Sequence, residues 1–490
     1  MLSSKEIRQV KDKKVKSILK RSQQQLSEAT FLKKKLQEYL QPPRAGFIQV
    51  EGPFEDSIKV TQHEIKQEVP ISASYKAFNL ALNDGPYSTS YTRNGRYLAI
   101  GGSTGHIAAF DWKQGKLVCE INVEEPIYDI KWLHNENLLA AAQKKQVFLY
   151  NSSGVEVHSL KEHTDATCLD FLPYHLLLVS GSRSGIIRYQ DISTGKIAAE
   201  WPTKLGPIQA LTQNPSSAIM HLGHASGTVT FWCPSTNGPL VKMLCGKGPI
   251  SSIAINQGGT VMATSSADTT VKLWDLRTYK LLEEYKTPLS PTSLGISQTG
   301  LLTATFGSSV LIWKDSWKEK QSKPYMKHVV KGSPVHKATF CPFDDVLCVS
   351  HSSGIDSILV PGAGEAYFDS MEINPFENKR QRQEGEIKQL LEKLQPDMIS
   401  LNTESIGQLR KDRTISINPA DRDLTEEQLA TKREFRKKRG VNKYLNKQKN
   451  VLDAKKQLIK EKIEQQEALN AQASSSIHGM PILDRFKRSR

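Results

Sequence analysis

Residues 250–285 read ISSIAINQGGTVMATSSADTTVKLWDLRTYKLLEEY. The stretch divides into an apolar segment ISSIAI, a turn NQGG, a second segment TVMATSS, a turn ADTT, the strand VKLWD and, after one more turn, KLLEEY. Four short segments of period-2 pattern, separated by turn chemistry, are the signature of one propeller blade. Comparable copies start near Tyr87, Ile127, Ala166, Ile208, Pro291 and Val335. With Ile250 in its place, the starts lie 40, 39, 42, 42, 41 and 44 residues apart. In six copies the third segment ends on or next to an aromatic: Phe110, Tyr150, Tyr189, Trp232, Trp274 and Trp313.

A tandem array of this period predicts an all-β fold, a seven-bladed WD-repeat β-propeller, with helical or extended basic arms at its N- and C-termini. A blade cannot bury both faces alone, and an open sheet edge invites mispairing, so the ring has to close. The last copy supplies only three segments, residues 335–340, 346–350 and 354–360. Upstream of the first copy lies FNLAL, residues 78–82, followed by the turn residues Asn83, Asp84 and Gly85. That segment is expected to be the missing outer strand of the seventh blade. The domains then read as an arm and linker over 1–77, the propeller over 78–364 and a C-terminal segment over 365–490.

The six cysteines (Cys119, Cys168, Cys233, Cys245, Cys341 and Cys348) fall in or beside strands, with no CxxC pair. They read as small buried hydrophobes of a reducing compartment, not as disulfides or zinc ligands. The opening MLSSKEIRQVKDKK has no apolar core of the kind a secretory leader carries. No apolar run reaches the ~18 residues a membrane span needs. Neither secretion nor membrane insertion is expected.

The net charge of +15 is unevenly placed. Residues 1–44 carry 12 basic against 4 acidic side chains, the propeller 25 against 22, and residues 365–490 carry 26 against 20. Within the last segment, residues 432–462 hold 13 basic and 3 acidic side chains. A nearly neutral ring therefore carries two cationic arms. Such arms suit a polyanion, because neutralising phosphates releases counterions without regard to sequence. The candidate RNA contacts are Lys11, Lys13 and Lys14 in the first arm and Lys432, Arg433, Arg436, Lys437, Lys438 and Arg439 in the second. Solvated arms or a nuclear import signal would carry the same charges. No base-reading pattern accompanies them.

Both arms have helical character. Leu32, Leu36 and Leu40 recur every four residues, and Thr425 with Gln428 forms a capping box ahead of a basic helical arm over 425–470, interrupted at Gly440. A further helix is expected over residues 385–394, bounded by Pro396, with Ile387, Leu390, Leu391 and Leu394 on one face. That stripe has two candidate destinations, the rim of its own propeller or a groove on a partner. Chemistry is harder to find. His221 and His224, three apart on a strand, lack a third metal ligand nearby. Ser266, Asp268, Trp274 and His163 read as polar braces of the blades, not as a catalytic set. There is no phosphate-binding glycine loop and no nucleophile elbow. No enzyme activity, cofactor or small-molecule substrate is expected.

Other stretches are more specific. DFLPYH (170–175), QNP (213–215) with MHLGH (220–224) and FW (231–232), and above all residues 360–409, VPGAGEAYFDSMEINPFENKRQRQEGEIKQLLEKLQPDMISLNTESIGQL, exceed what a generic WD repeat carries. They closely resemble the family of the U3 small nucleolar RNA-associated protein 7, also called WD-repeat protein 46. The likeness spans about residues 75–409 and resumes around residues 448–451. It implies a non-enzymatic structural subunit of the nucleolar small-subunit processome, which assembles on pre-ribosomal RNA with the U3 snoRNA and matures the small-subunit ribosomal RNA. In such a scaffold Asn374, Pro375 and Phe376 would anchor the post-propeller segment to protein, and Lys379, Arg380 and Arg382 would face phosphate or acidic protein. The helical stripe of Ile387, Leu390, Leu391 and Leu394 belongs to the same docking region. The rival class is a WD-repeat adaptor, such as a ubiquitin-ligase substrate receptor, which grips a peptide on the ring and can dispense with its arms.

Overall fold

Short strands build the ring, buried throughout in mid-blade and largely exposed at the outer edge. In the fifth blade the strands are Ile250–Ile255, Val261–Ser266, Thr270–Asp275 and Lys280–Lys286. Every residue of Val261–Ser266 is buried, because small side chains there let the flanking blades close from both sides. Lys280–Lys286, at the outer edge, buries only Tyr285 and leaves Lys280, Leu281, Leu282 and Lys286 exposed. The computed structural model describes residues 12–39, 46–50, 55–321, 323–369, 372–401, 446–447 and 449–470. Among them are seven antiparallel sheets of four strands each.

Six sheets take their strands from consecutive chain; the seventh does not. Its strands Val335–Phe340, Val346–His351 and Gly354–Leu359 are completed by Asn79–Ala81. Asn79 lies opposite Asp356, Leu80 opposite Ile355 and Ala81 opposite Gly354, so the N-terminal side of the ring clasps its C-terminal side as the sequence predicts. Gly354 has a φ of 140°, and a Cβ there would lie 2.0 Å from the Leu80 carbonyl oxygen. Only glycine lets the clasp strand approach so closely. The clasp is reinforced further upstream. Gln62, in the helix Gln62–Glu68, donates from Nε2 to the Leu359 carbonyl at 2.8 Å and accepts from the Leu359 N–H at 2.9 Å. This amide extends the strand pairing by one further step.

Neighbouring blades are stitched near the channel. The Leu169 N–H of blade three donates to Asp129 of blade two (3.0 Å), and the Gln213 N–H of blade four donates to Asp170 of blade three (2.8 Å). Lys337 of blade seven reaches past blade one, donating to Ser88 at 3.0 Å and to Asp129 at 2.8 Å. Burial works to raise the Asp129 carboxyl, but the Lys337 ammonium and the donors around it hold it below the ordinary carboxylate value. The ring seam is thus tied twice, once at its rim and once at its centre.

The arms contribute helix. Lys13–Tyr39 is one helix, begun by Asp12, whose Oδ1 accepts the Lys14 N–H at 2.9 Å. Residues 449–470 are also helical. The predicted capping box at Thr425 and the interruption at Gly440 lie outside the described residues. No described helix is long and apolar enough to cross a membrane.

Candidate functional site

An antiparallel blade puts its first-to-second and third-to-fourth turns on one face of the ring and its remaining turns on the other. These two faces differ sharply. Residues 361–369 and 372–401 run as a strap over the first of them and meet all seven blades in turn. The strap starts where Thr299 of blade six donates to the Gly362 carbonyl (2.7 Å) and Asp345 of blade seven accepts the Gly364 N–H (2.8 Å). Phe368 meets Phe343 edge-on, at 6.2 Å between ring centres. Glu372 then faces Arg93 of blade one at 3.8 Å. The helix Lys379–Leu391 crosses blade two, where Arg382 pairs with Glu136 and Glu386 lies 3.5 Å from His134. Over blade three the Leu394 N–H donates to the Tyr174 carbonyl at 3.0 Å, while Lys393 pairs with Asp191 and donates to Ser193 at 2.7 Å. Ile399 ends the crossing, buried in the core of blades three to five. Leu401 lines a cavity with Ile219 of blade four and Tyr279 beside blade five.

Between the strap and the channel lies a cavity of about 520 Å³, lined by Arg93, Gln213, Asn214, Gln298, Glu372 and others. The strap therefore closes this mouth of the ring with charges and amides that already have partners on the blades.

Two expectations about the strap need correction. The helix spans Lys379–Leu391, not residues 385–394. Its start is set by Asn378, whose N–H donates to Gln381 at 3.0 Å, and it runs through Gly385, which has open space around it. It ends before Leu394 because that N–H is held by blade three. Arg382 is the second departure: its guanidinium lies against Glu136 of its own ring instead of facing outward.

The orientation of this helix is the reverse of an ordinary amphipathic one. Its polar face grips blade two, and its apolar face points to solvent: Ile387 is 59% exposed, Leu390 49%, Leu391 81%, and Leu394 just beyond it 42%. The rim of the propeller does not receive the stripe. Of the remaining docking candidates, Pro375 is buried, and Asn374 accepts the Phe376 N–H at 2.9 Å. Phe376 is 75% exposed, against Phe368 at 5.9 Å and with Lys113 5.9 Å from its ring centre. Arg380 pairs along the helix with Glu384, and Lys379 is exposed. Of the predicted RNA contacts, Lys13 and Lys14 occupy the first turn of the N-terminal helix. Lys11 and all six residues between Lys432 and Arg439 lie outside the described residues.

The opposite face is uncovered by the strap. There Lys144, Lys145, Arg183 and Lys204 are exposed, and among the described residues none of them forms an ion pair. Sequence reasoning missed this group because the ring is nearly neutral as a whole. Only the turn positions, shared by adjacent blades, could have brought it out.

The polar residues singled out in the sequence are braces. Asp268 accepts the Lys247 and Gly248 N–H groups at 2.6 and 3.0 Å, and Trp274 donates to Thr264 at 3.0 Å. His163 shares a 2.6 Å hydrogen bond with Ser180, and burial with the nearby Arg188 charge lowers its pKa to about 4. Burial likewise lowers His221 to about 3 and His224 to about 4, and each imidazole has a neighbour of its own: the Ile219 carbonyl and the Thr230 hydroxyl. All six cysteines are free thiols, five of them buried.

Comparison with known proteins converges on the same regions. Residues 154–191 and 238–275 match the WD domain, G-beta repeat, and residues 324–402 match the BING4CT (NUC141) domain. The latter span contains the outer strand of blade six, the last three strands of the ring and the whole strap. The chain is similar to "U3 small nucleolar RNA-associated protein 7" of Saccharomyces cerevisiae, 40% identical over 431 residues, covering 84% of this chain and 78% of that protein. It is also similar to "WD repeat-containing protein 46" of Homo sapiens, 40% identical over 387 residues, and of Caenorhabditis elegans, 38% identical over 371. The matches cover 78% and 75% of this chain, and the chain spans 63% of the length of each of those two relatives. A seven-bladed ring of WD repeats, completed by a strap that coincides with the BING4CT domain and matched across most of its length by these relatives, belongs to the U3 small nucleolar RNA-associated protein 7 (WD repeat-containing protein 46) family.

Proposed function

We propose that this chain is a non-enzymatic structural subunit of the nucleolar small-subunit processome, joining pre-ribosomal RNA or U3 snoRNA to neighbouring proteins during maturation of small-subunit ribosomal RNA. One observation carries the reading: the strap turns the apolar face of Lys379–Leu391 outward while ion pairs fix its polar face to blade two. A helix held this way presents Ile387, Leu390 and Leu391 as a preformed docking ridge, so little ordering entropy opposes its capture by a partner protein. Lys379, Arg380 and the Asn374-Pro375-Phe376 turn flank that ridge. The basic clusters at Lys11–Lys14 and Lys432–Arg439 supply sequence-independent attraction to RNA. The relatives' names, which denote U3 association and WD repeats, support the assignment.

The test is to express the tagged full chain, a form lacking 365–490 and the double variant I387D/L391D in nuclei, then sediment the lysates. The full chain is expected in a large particle with U3 snoRNA and pre-ribosomal RNA. The deletion should leave that particle, and the double variant should lose protein neighbours while its thermal midpoint is unchanged. A deletion form that keeps the same partners would sink the scaffold reading in favour of a ring-only adaptor.

A further inference from the structure

The uncovered face carries a feature that neither arm accounts for. Four of its turns form one hydrogen-bonded row. The Asp165 N–H donates to the Lys145 carbonyl (3.1 Å), the Arg183 N–H donates to the Asp165 carbonyl (3.0 Å), and the Thr203 N–H donates to the Gly185 carbonyl (2.8 Å). The row places the exposed side chains of Lys144, Lys145, Arg183 and Lys204 across blades two to four. Tyr128, at the inner edge of blade two, is 40% exposed, and the Arg183 guanidinium stands 5.8 Å above its ring centre. Glu125, Glu162 and Asp165 lie on adjoining turns, and no ion pair among the described residues ties them to these four cations.

An exposed aromatic ring beneath an arginine, beside three lysines without an ion pair among the described residues, is the chemistry of a single-stranded nucleic-acid platform. A base stacks on the ring while ammonium and guanidinium groups take the phosphates on either side. A duplex cannot use the ring, since its bases are already stacked on one another. We infer that the open face of the propeller, at Tyr128 and Arg183 with Lys144, Lys145 and Lys204, binds single-stranded RNA. This inference rests on the ribonucleoprotein reading given above and adds to it a site on the ring itself.

The experiment measures binding of the full chain to a labelled single-stranded oligouridine and to a duplex RNA of equal length, by fluorescence anisotropy at one fixed salt concentration. Y128A is expected to weaken the single strand roughly tenfold and to leave the duplex unchanged. The quadruple variant K144A/K145A/R183A/K204A should weaken the single strand further. Photocrosslinking of a 4-thiouridine oligonucleotide should label the peptide containing Tyr128. An arm variant with Lys432–Arg439 neutralised should instead weaken both RNAs alike. Wild-type binding by Y128A and by the quadruple variant, with a thermal midpoint equal to the parent's, overturns the ring site. If the arm variant still loses affinity, the arm reading stands; if it too binds normally, both fall. Binding of polyglutamate that depends on Arg183 and not on Tyr128 would assign the face to acidic protein and overturn the RNA assignment.

Discussion

The two faces of the ring carry cations of the same kind to opposite ends. On the strapped face Arg93, Arg382 and Lys393 each meet a carboxylate across the strap–blade boundary, and Lys113 meets Asp344. On the open face Lys144, Lys145, Arg183 and Lys204 meet none among the described residues. Charge held by an internal partner contributes to folding; charge left without one is available to a visitor. The neutral total of the propeller conceals this division, which is set by where the turns fall.

Three changes would break or sharpen the contrast. The largest effect is expected from Ile399→Ala, which removes the buried apolar end of the strap. A loss of about 2–4 kcal/mol in urea denaturation fits an aliphatic side chain fully enclosed by a core, and an effect under about 0.5 kcal/mol would mean that the strap is a loose cover. Acid comes next. His163 has its pKa lowered to about 4 against 6.5 unfolded. The unfolded chain therefore binds the extra proton first, and stability is full above about pH 6.5 and is lost as the pH falls toward 4. At pH 5 the cost is roughly 2 kcal/mol, and His163→Gln should flatten that part of the pH–stability curve. The smallest effect separates the faces most directly. Arg382→Ala should cost about 1 kcal/mol through its half-buried pair with Glu136, whereas Lys145→Ala should stay within about 0.5 kcal/mol. Equal costs would erase the distinction.

Most of the ring was legible because its signal repeats. Each blade restates the same alternation, so a weak copy such as residues 291–329 is carried by its neighbours, and the one strand missing from the last copy pointed to FNLAL. The strap had no such redundancy. Its apolar stripe could be seen, but its direction depends on Glu136 and His134, some 250 residues earlier in the chain, whose pairing with Arg382 and Glu386 no local pattern records. The helix start was missed for a related reason. Gly385 looked like a boundary, while the true boundary is the Asn378–Gln381 hydrogen bond, which starts the helix six residues further upstream, at Lys379.

The clasp strand Asn79–Ala81 has a consequence for how the molecule is made. Its partner, Gly354–Leu359, emerges from the ribosome only after six complete blades have been synthesised. Until then the clasp strand has no partner and the growing arc exposes an apolar blade face at each end, and ring closure joins segments some 277 residues apart (Asn79 to Asp356). Such topologies close slowly and are vulnerable to aggregation while they wait. Translation halted before residue 354 would leave an arc unable to lock, whatever the quality of its individual blades.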